Sequence, residues 1–325
     1  DVNAGFFRKK IKEAIGLRET FIPPGETEMY RLVNAESDGI PGLIVDRYGE
    51  VLVIQCLSAG IEFWRDVIVE HLIDLTGIQK IFERSDVEVR KLEGLTERVG
   101  PLHGNGFSKQ FQMNENGLNF WIDIAQGHKT GFYLDQRRNR AVLRGLVNKR
   151  IVLDCFSYSG AFSVSALAGG AEKVISLDSS SEALQICEKN VELNGFSNKD
   201  HEIIEGDVFT TLRTFRDKGM SFDAIILDPP KFAPTVALKQ RAARGYKDIN
   251  LLAFKLLRQN GLLFSFSCSG GISSEFFQQI VAGAALDAGV QVRIMDFLSQ
   301  SPDHPIAINF PEGRYLKGLI CHVSG

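Results

Sequence analysis

Cys268 stands in the run FSFSCSGG, directly after the apolar stretch 262–266, with Ser267, Ser269, Gly270 and Gly271 around it. Small flanks leave the sulfur approachable. A helix predicted over 274–288 begins just beyond it, and a helix N-terminus or a nearby lysine favours the thiolate. A thiolate adds to C6 of a pyrimidine and turns C5 into a nucleophile, which is the problem that substitution at C5 must solve. The plainer reading of a cysteine is a small buried hydrophobe. It suits Cys56, Cys155, Cys187 and Cys321, which lie within or beside apolar runs. The turn Asp228-Pro229-Pro230-Lys231 is the second chemical feature. Its prolines remove backbone donors and stiffen the chain, so the preceding carbonyl and the Asp228 carboxylate are held where a planar base can be hydrogen-bonded. Amino-methylating turns of this kind carry Tyr or Phe after the prolines. Lys231 disfavours that chemistry here.

Four acids follow apolar runs in turn: Asp154, Asp178, Asp207 and Asp228. An acid at such a place often only caps the next helix. Four of them in a regular strand–helix alternation would share one sheet edge, where doubly wound folds bind ligands. Asp178 lies close to the ~20-residue spacing of a ribose-binding carboxylate after the first strand. Asp207 can accept from an exocyclic amine. The first turn, Cys155 to Gly160, has one late glycine and lacks the three-glycine pyrophosphate fingerprint. The set suits a nucleoside ligand without phosphate, such as S-adenosylmethionine.

Those residues need an array of strands to hold them. Strands are expected at 151–153, 173–178, 202–205, 222–227, 262–266, 290–295 and 316–323, with helices at 161–167, 181–194, 246–258 and 274–288. The fold class is therefore α/β, with a hairpin adding an antiparallel strand at the end. Ahead of it, residues 26–125 read as a small α+β domain. Its strands are at 29–33, 42–46, 51–57 and 80–84, with a helix at 61–75 spaced on Phe63, Val67, Ile68, His71 and Leu72. A hairpin at 107–124 completes it. Residues 1–25 are a helical segment with Phe6, Phe7, Ile11, Ile15 and Leu17 inside and its charges outside, either as a solvated face or as an RNA contact. The third domain runs over 126–325. It opens on GHKTGFYLDQRRNR, where Arg137, Arg138, Arg140 and Arg144 form either a solvated basic helix or an anion- or base-binding group.

Composition narrows the class. With 37 basic and 40 acidic residues the chain has a net charge of −3, so a nucleic-acid site must be a local patch. Five cysteines without metal-knuckle spacing predict free thiols and no metal. No apolar run reaches the ~18 residues of a membrane span, so the expectation is a cytoplasmic protein without membrane partner.

The segments ESDGIPGLIVDRYG, GHKTGFYLDQRRNR, LDCFSYSGAFSVSAL, DPPKF, RGYKDIN, FSFSCSG and PEGRYLKG together resemble one family. It is the class I S-adenosylmethionine-dependent RNA methyltransferases, and within them the ribosomal RNA large subunit methyltransferase I group. The resemblance runs from about Arg31 to the end. It implies a Rossmann-like domain with a mostly parallel seven-stranded sheet after a small domain of strand-strand-helix-strand-strand type. It also implies a PUA domain ahead of the first helix, which this chain does not show. The implied activity is methylation of cytosine C5 in 23S ribosomal RNA, with a homodimer as a possible assembly. Residue by residue, the resemblance makes Cys268 the nucleophile. Asp228 takes the cytosine N3 edge with Lys231 nearby. Asp178 takes the ribose, Asp207 the adenine amine, and Asp154, Phe156, Ser157 and Gly160 the cofactor's surroundings. Gln136 and Arg137 are expected at its carboxylate. Related families carry a second cysteine beside the prolines; Lys231 replaces it, leaving the base for the C5 proton unassigned. Alternatives are methylation of a purine nitrogen, for which Cys268 is incidental, and a non-catalytic RNA-binding module.

Overall fold

The structure is a computed structural model and describes residues 2–196, 200–232 and 239–324. The chain divides into two compact units, Asp1–Arg137 with Ser301–Gly313, and Arg138–Gln300 with Arg314–Gly325. Each is taken by itself.

The first unit opens with helix α1 (Ala4–Phe21), capped by the Asn3 side chain. Strands β1 (Met29–Asn34), β2 (Leu43–Tyr48) and β3 (Val51–Cys56) form an antiparallel meander, and helix α2 (Ala59–Thr76) crosses over to β4 (Lys80–Ser85), which lies parallel to β3. A short helix α3 (Val89–Leu92) leads to β5 (Arg98–His103), antiparallel to β4. The sheet order is β1-β2-β3-β4-β5, and the hairpin β6 (Gln110–Glu115) and β7 (Leu118–Asp123) stands apart as a two-stranded ribbon. The implied strand-strand-helix-strand-strand run is present within this longer sheet. Its last strand, β5, escapes the sequence reading because it is an edge strand with mostly exposed residues and Pro101 inside it. In α2 the buried positions are Ile61, Ile68, Val69 and Leu72, whereas Phe63 points outward at 80% exposure.

The first unit also places charges where the sequence suggests solvent. Arg18 of α1 is 2% exposed. Its guanidinium grips both oxygens of Asp38 at 2.7 and 2.8 Å and donates to the Asp303 carbonyl. Arg31 grips Asp46 in the same two-pronged way, and Asp46 also accepts from Thr130 at 2.6 Å. Asp303 accepts the Arg31 backbone N–H and pairs with Arg137. Bidentate pairs of this kind are strong because both charges are directionally satisfied. The contacts of Asp303 with Arg18, Arg31 and Arg137 tie residues 301–313 to the first unit, whereas the sequence reading runs its last domain straight through 126–325.

The second unit begins with α4 (Arg137–Arg144), whose first residue closes the first unit. There follow β8 (Ile151–Cys155), α5 (Ala161–Ala168), β9 (Lys173–Asp178), α6 (Ser181–Leu193), β10 (His201–Glu205), α7 (Val208–Asp217) and β11 (Phe222–Leu227). Next come α8 (Lys239–Leu256), β12 (Leu257–Ser267), α9 (Ser274–Ala288), β13 (Gln291–Leu298) and β14 (Lys317–Ser324). The seven strands lie in the order β10-β9-β8-β11-β12-β14-β13, and only β14 runs antiparallel to its neighbours. This is the Rossmann-like sheet expected. The central strands are continuous apolar runs because both faces are covered. Leu153, Ile175, Ile225 and Leu263 share one core with Leu252 and Phe254 of α8 and Phe277 and Val281 of α9.

Candidate active site

Parallel pairing in register sets the carboxyl ends of β10, β9, β8, β11 and β12 along one edge. The order reverses between β8 and β11, the switch point where such sheets bind ligands. Asp178, Asp207, Asp228 and Cys268 end or follow these strands, while Asp154 sits one residue inside β8. Asp154 is 1% exposed and accepts from Ser163 at 2.6 Å. Burial pushes its carboxyl up to about 7, with the charges of Asp228 and Asp178 adding and the Ser163 hydrogen bond opposing. It is therefore held within the unit. Asp178 accepts from the backbone N–H groups of Tyr158 at 2.8 Å and Ser180 at 3.0 Å. The Oδ1 of Asp207 caps α7 through the N–H and hydroxyl of Thr210, both at 2.9 Å. The capping role weighed for such acids is thus real at this one.

The loop after β8 turns tightly without being glycine-rich. Phe156 and Tyr158 adopt positive φ of 61° and 48°, a conformation costly for residues with a Cβ. Ser157 N–H donates to Leu177 O, and Asn190 holds the Ser159 carbonyl. The loop encloses one buried hydroxyl, Ser157 Oγ, that has no hydrogen-bond partner among the described residues. A buried orphan acceptor and donor at a ligand-binding edge fits a polar cofactor. Gly160 has φ +74°, and a Cβ there would run into the Cys187 sulfur. Gly160→Ala is expected to cost about 2–4 kcal/mol. Cys187→Ala in addition should restore only part of this, since the backbone strain stays. Urea unfolding of the single and double variants checks both.

Cys268 is the one cysteine that is not buried. Burial pushes the thiols of Cys56, Cys187 and Cys321 up to about 12. The Cys155 thiol rises well above its ordinary value for the same reason. Cys268 Sγ lies 3.9 Å from the Pro229 carbonyl oxygen. The cysteine loop and the Asp-Pro-Pro turn are therefore adjacent, as their strands require. Lys231 is exposed. Behind them, buried Tyr246 meets Ser269 Oγ at 3.0 Å, and Asn250 accepts from Ser265 at 2.7 Å. In this way RGYKDIN supports the strand and loop of FSFSCSG. Phe232 packs on Tyr246 with ring centroids 4.8 Å apart. Beside it a cavity of about 320 Å³ is lined by Phe209, Phe232, Arg241, Ala242 and Gly245. Aromatic walls of this kind suit a planar ring. Tyr246, Ser269 and Lys317 are missing from the sequence-derived set; the one signal for them is that they stand in RGYKDIN, FSFSCSG and PEGRYLKG, segments that carry the resemblance.

Gln136 and Arg137 belong to the first unit and are 2% and 1% exposed. Arg137 pairs with Glu26 and Asp303, each at 3.0 Å. Arg140 is likewise buried, whereas Arg138 is exposed and Arg144 half-buried, so only part of the arginine-rich segment faces solvent. Among the described residues the one group with metal-ligand geometry is Cys56, Glu62 and Glu83. Arg90 pairs with Glu62 at 3.0 Å and Arg65 lies 3.7 Å from Glu83, so the carboxylates already face cations. No described helix is long and apolar enough to cross a membrane.

Comparison with known proteins agrees with this geometry. The family model for S-adenosylmethionine-dependent methyltransferases matches residues 100–307. The ribosomal RNA large subunit methyltransferase I of Aeromonas salmonicida is 49% identical over 98% of this chain and 81% of that protein. The protein of the same name from Escherichia coli K12 is 45% identical over 99% and 81%. A Streptococcus mutans structure, a SAM-dependent methyltransferase candidate, superposes with TM-score 0.88 at 23% identity, covering 99% of this chain and 82% of that one. A second candidate methyltransferase, complexed with SAH, superposes with TM-score 0.88 at 24% identity and the same coverage. At such identity the two structures speak for the fold alone. Strand order, the family model and relatives matched over four-fifths of their length converge: the chain belongs to the ribosomal RNA large subunit methyltransferase I family of S-adenosylmethionine-dependent methyltransferases.

Proposed function

We propose that this protein methylates C5 of a cytosine in large-subunit ribosomal RNA through a covalent adduct between Cys268 and C6. The names of its relatives support the RNA. The observation that carries the chemistry is the approach of the half-buried Cys268 sulfur to the Pro229 carbonyl at the ligand-binding edge. Bound cofactor supplies a methyl group made electrophilic by its sulfonium. Asp178 takes the ribose hydroxyls, and Asp207 accepts from the adenine amine with the oxygen not engaged by Thr210. Phe156, Ser157 and Gly160 shape the methionine end, with Ser157 Oγ finding there the partner it lacks. The target base swings out of the RNA into the cleft. Asp228 holds its N3 edge, with Lys231 at the mouth. Cys268 adds to C6, the C5 carbon gains the methyl, the C5 proton leaves, and β-elimination returns the sulfur as thiolate. Large-subunit RNA is a substrate of the cytoplasm, which fits a chain without a described membrane-spanning helix.

The test is a trap. Fluorine at C5 blocks elimination, so RNA carrying 5-fluorocytidine should leave a protein–RNA band on a denaturing gel. The band should need cofactor and vanish in Cys268→Ala. Methylation of a purine nitrogen in natural RNA, with no trapped band, would overturn the reading.

A further inference from the structure

We propose that Lys317 is a positioning residue for Cys268, clamping the loop that carries the sulfur and setting a positive charge near the thiolate at neutral pH. The inference rests on Cys268 acting as the nucleophile. Lys317 begins β14, where it pairs with Ser267, the residue before Cys268. The pairing cannot slip, because at the next residue, Gly318, a Cβ would stand 2.6 Å from the Phe266 ring. From this strand Lys317 Nζ donates to Ser269 O at 2.8 Å and Ile272 O at 3.0 Å. The two bonds close the turn that follows Cys268.

A pin for two carbonyls does not require a charge. Lys317 is 6% exposed, and among the described residues no carboxylate lies within ion-pair distance of its ammonium. A buried cation without an anion is costly unless something gains from it. The groups that act on it are few. Lys231 and Arg314 repel it, and Cys268 is the group whose ionised form attracts it. Tyr246 reaches the same loop through Ser269 and feels both Cys268 and Asp228. Burial and the two cations bring Lys317 down to about 8, so at pH 7 it still carries its charge. Attraction between the two is mutual, so the ammonium that Cys268 stabilises also stabilises the thiolate.

Alkylation of Cys268 by iodoacetamide in the full chain, followed by peptide mass spectrometry from pH 6 to 10, tests this without the methyl-transfer reaction. Lys317→Met is expected to react about tenfold more slowly at pH 7, with a midpoint about one pH unit higher. Lys317→Arg keeps the charge and should return to within about threefold of wild type. A Lys317→Met rate equal to wild type, or a faster one from a loosened loop, overturns the proposal. If Lys317→Met does not fold, wild type and Lys317→Arg decide. The arginine variant's midpoint should lie at or below that of wild type, and one above it overturns the proposal. The two claims fail separately. Methyl transfer by Cys268→Ala would remove the nucleophile and leave the alkylation result standing. Unshifted alkylation with an intact fluorocytidine trap would remove only the role of Lys317.

Discussion

Cys268→Ala is expected to lose methyl transfer by at least about a thousandfold while binding cofactor within about threefold of wild type. C5 of cytosine is a poor nucleophile until C6 carries a sulfur, so removing the sulfur removes the reaction path and not merely a contact. No other thiol can substitute. The remaining four cysteines are buried, and their thiols are pushed far from ionisation at neutral pH. Cys268→Ser should be as inactive, because a serine hydroxyl, with its far higher pKa, is scarcely ionised at neutral pH and adds to C6 far more slowly than a thiolate. Stability should barely change, since position 268 is only half-buried and small neighbours surround it. Single-turnover transfer of labelled methyl to large-subunit RNA, with calorimetric cofactor binding as the control for folding, measures the effect. A residual rate within tenfold of wild type would favour attack by a purine nitrogen, for which the cysteine is incidental.

How much of this was readable follows from where the information sits. The central parallel strands are legible because double burial makes them largely apolar runs, whereas the edge strand β10 shows only Ile203 and Ile204. Their acids and Cys268 were legible because strand ends are. Helix α7 was overlooked, although Val208, Leu212 and Phe215 recur at helical spacing behind the Asp207 cap. Taken only as a ligand for the adenine amine, Asp207 does not give away the helix that it caps. Strand β5 gave no signal, since an exposed edge needs no apolar alternation. The charged residues misled most. A linear reading puts Arg18 on the charged outer face of the first helix and leaves Arg137 and Arg140 open between a solvated face and an anion- or base-binding group. Arg18 and Arg137 are buried because partners far along the chain, Asp38, Glu26 and Asp303, meet them. Lys317 was hidden for the same reason: only the antiparallel register of β12 with β14 brings it to the cysteine loop.

Register also creates a buried chain that no spacing announces, and its two ends should titrate against each other. Ser163 Oγ donates to Asp154 at 2.6 Å and lies 2.6 Å from Ser176 Oγ, which is 2.8 Å from His201 Nε2. Cys187 Sγ closes on the same Ser176 hydroxyl at 3.5 Å. Burial lowers His201 to about 4, against the pull of Glu202, and raises Asp154 to about 7. Between pH 4 and 6.5 the unfolded chain protonates His201 and the folded one does not, so this group adds stability as pH rises. Between pH 4 and 7 the folded chain keeps the Asp154 proton and the unfolded one has lost it, so this group removes stability as pH rises. The two slopes oppose and largely cancel in the wild type.

Each variant should expose the other slope. Asp154→Asn is expected to gain up to about 3 kcal/mol from pH 4 to 6.5, and His201→Gln to lose up to about 4 kcal/mol from pH 4 to 7. Groups elsewhere titrate alike in all three proteins and drop out of the differences. Both tryptophans, Trp64 and Trp121, lie in the first unit, so their fluorescence follows the wrong part of the chain. Hydrogen exchange of peptides from β8, β9 and α6 in graded urea reports the second unit directly. Profiles that stay parallel to the wild type would mean that neither end of the chain holds the protonation state its burial implies. Cofactor adds a further demand. Its sulfonium charge, near the Asp154 end of the chain in the proposed binding mode, would favour the ionised carboxylate. Binding near pH 7 should then release part of a proton in the wild type and none in Asp154→Asn, as calorimetry in buffers of different ionisation enthalpy would detect.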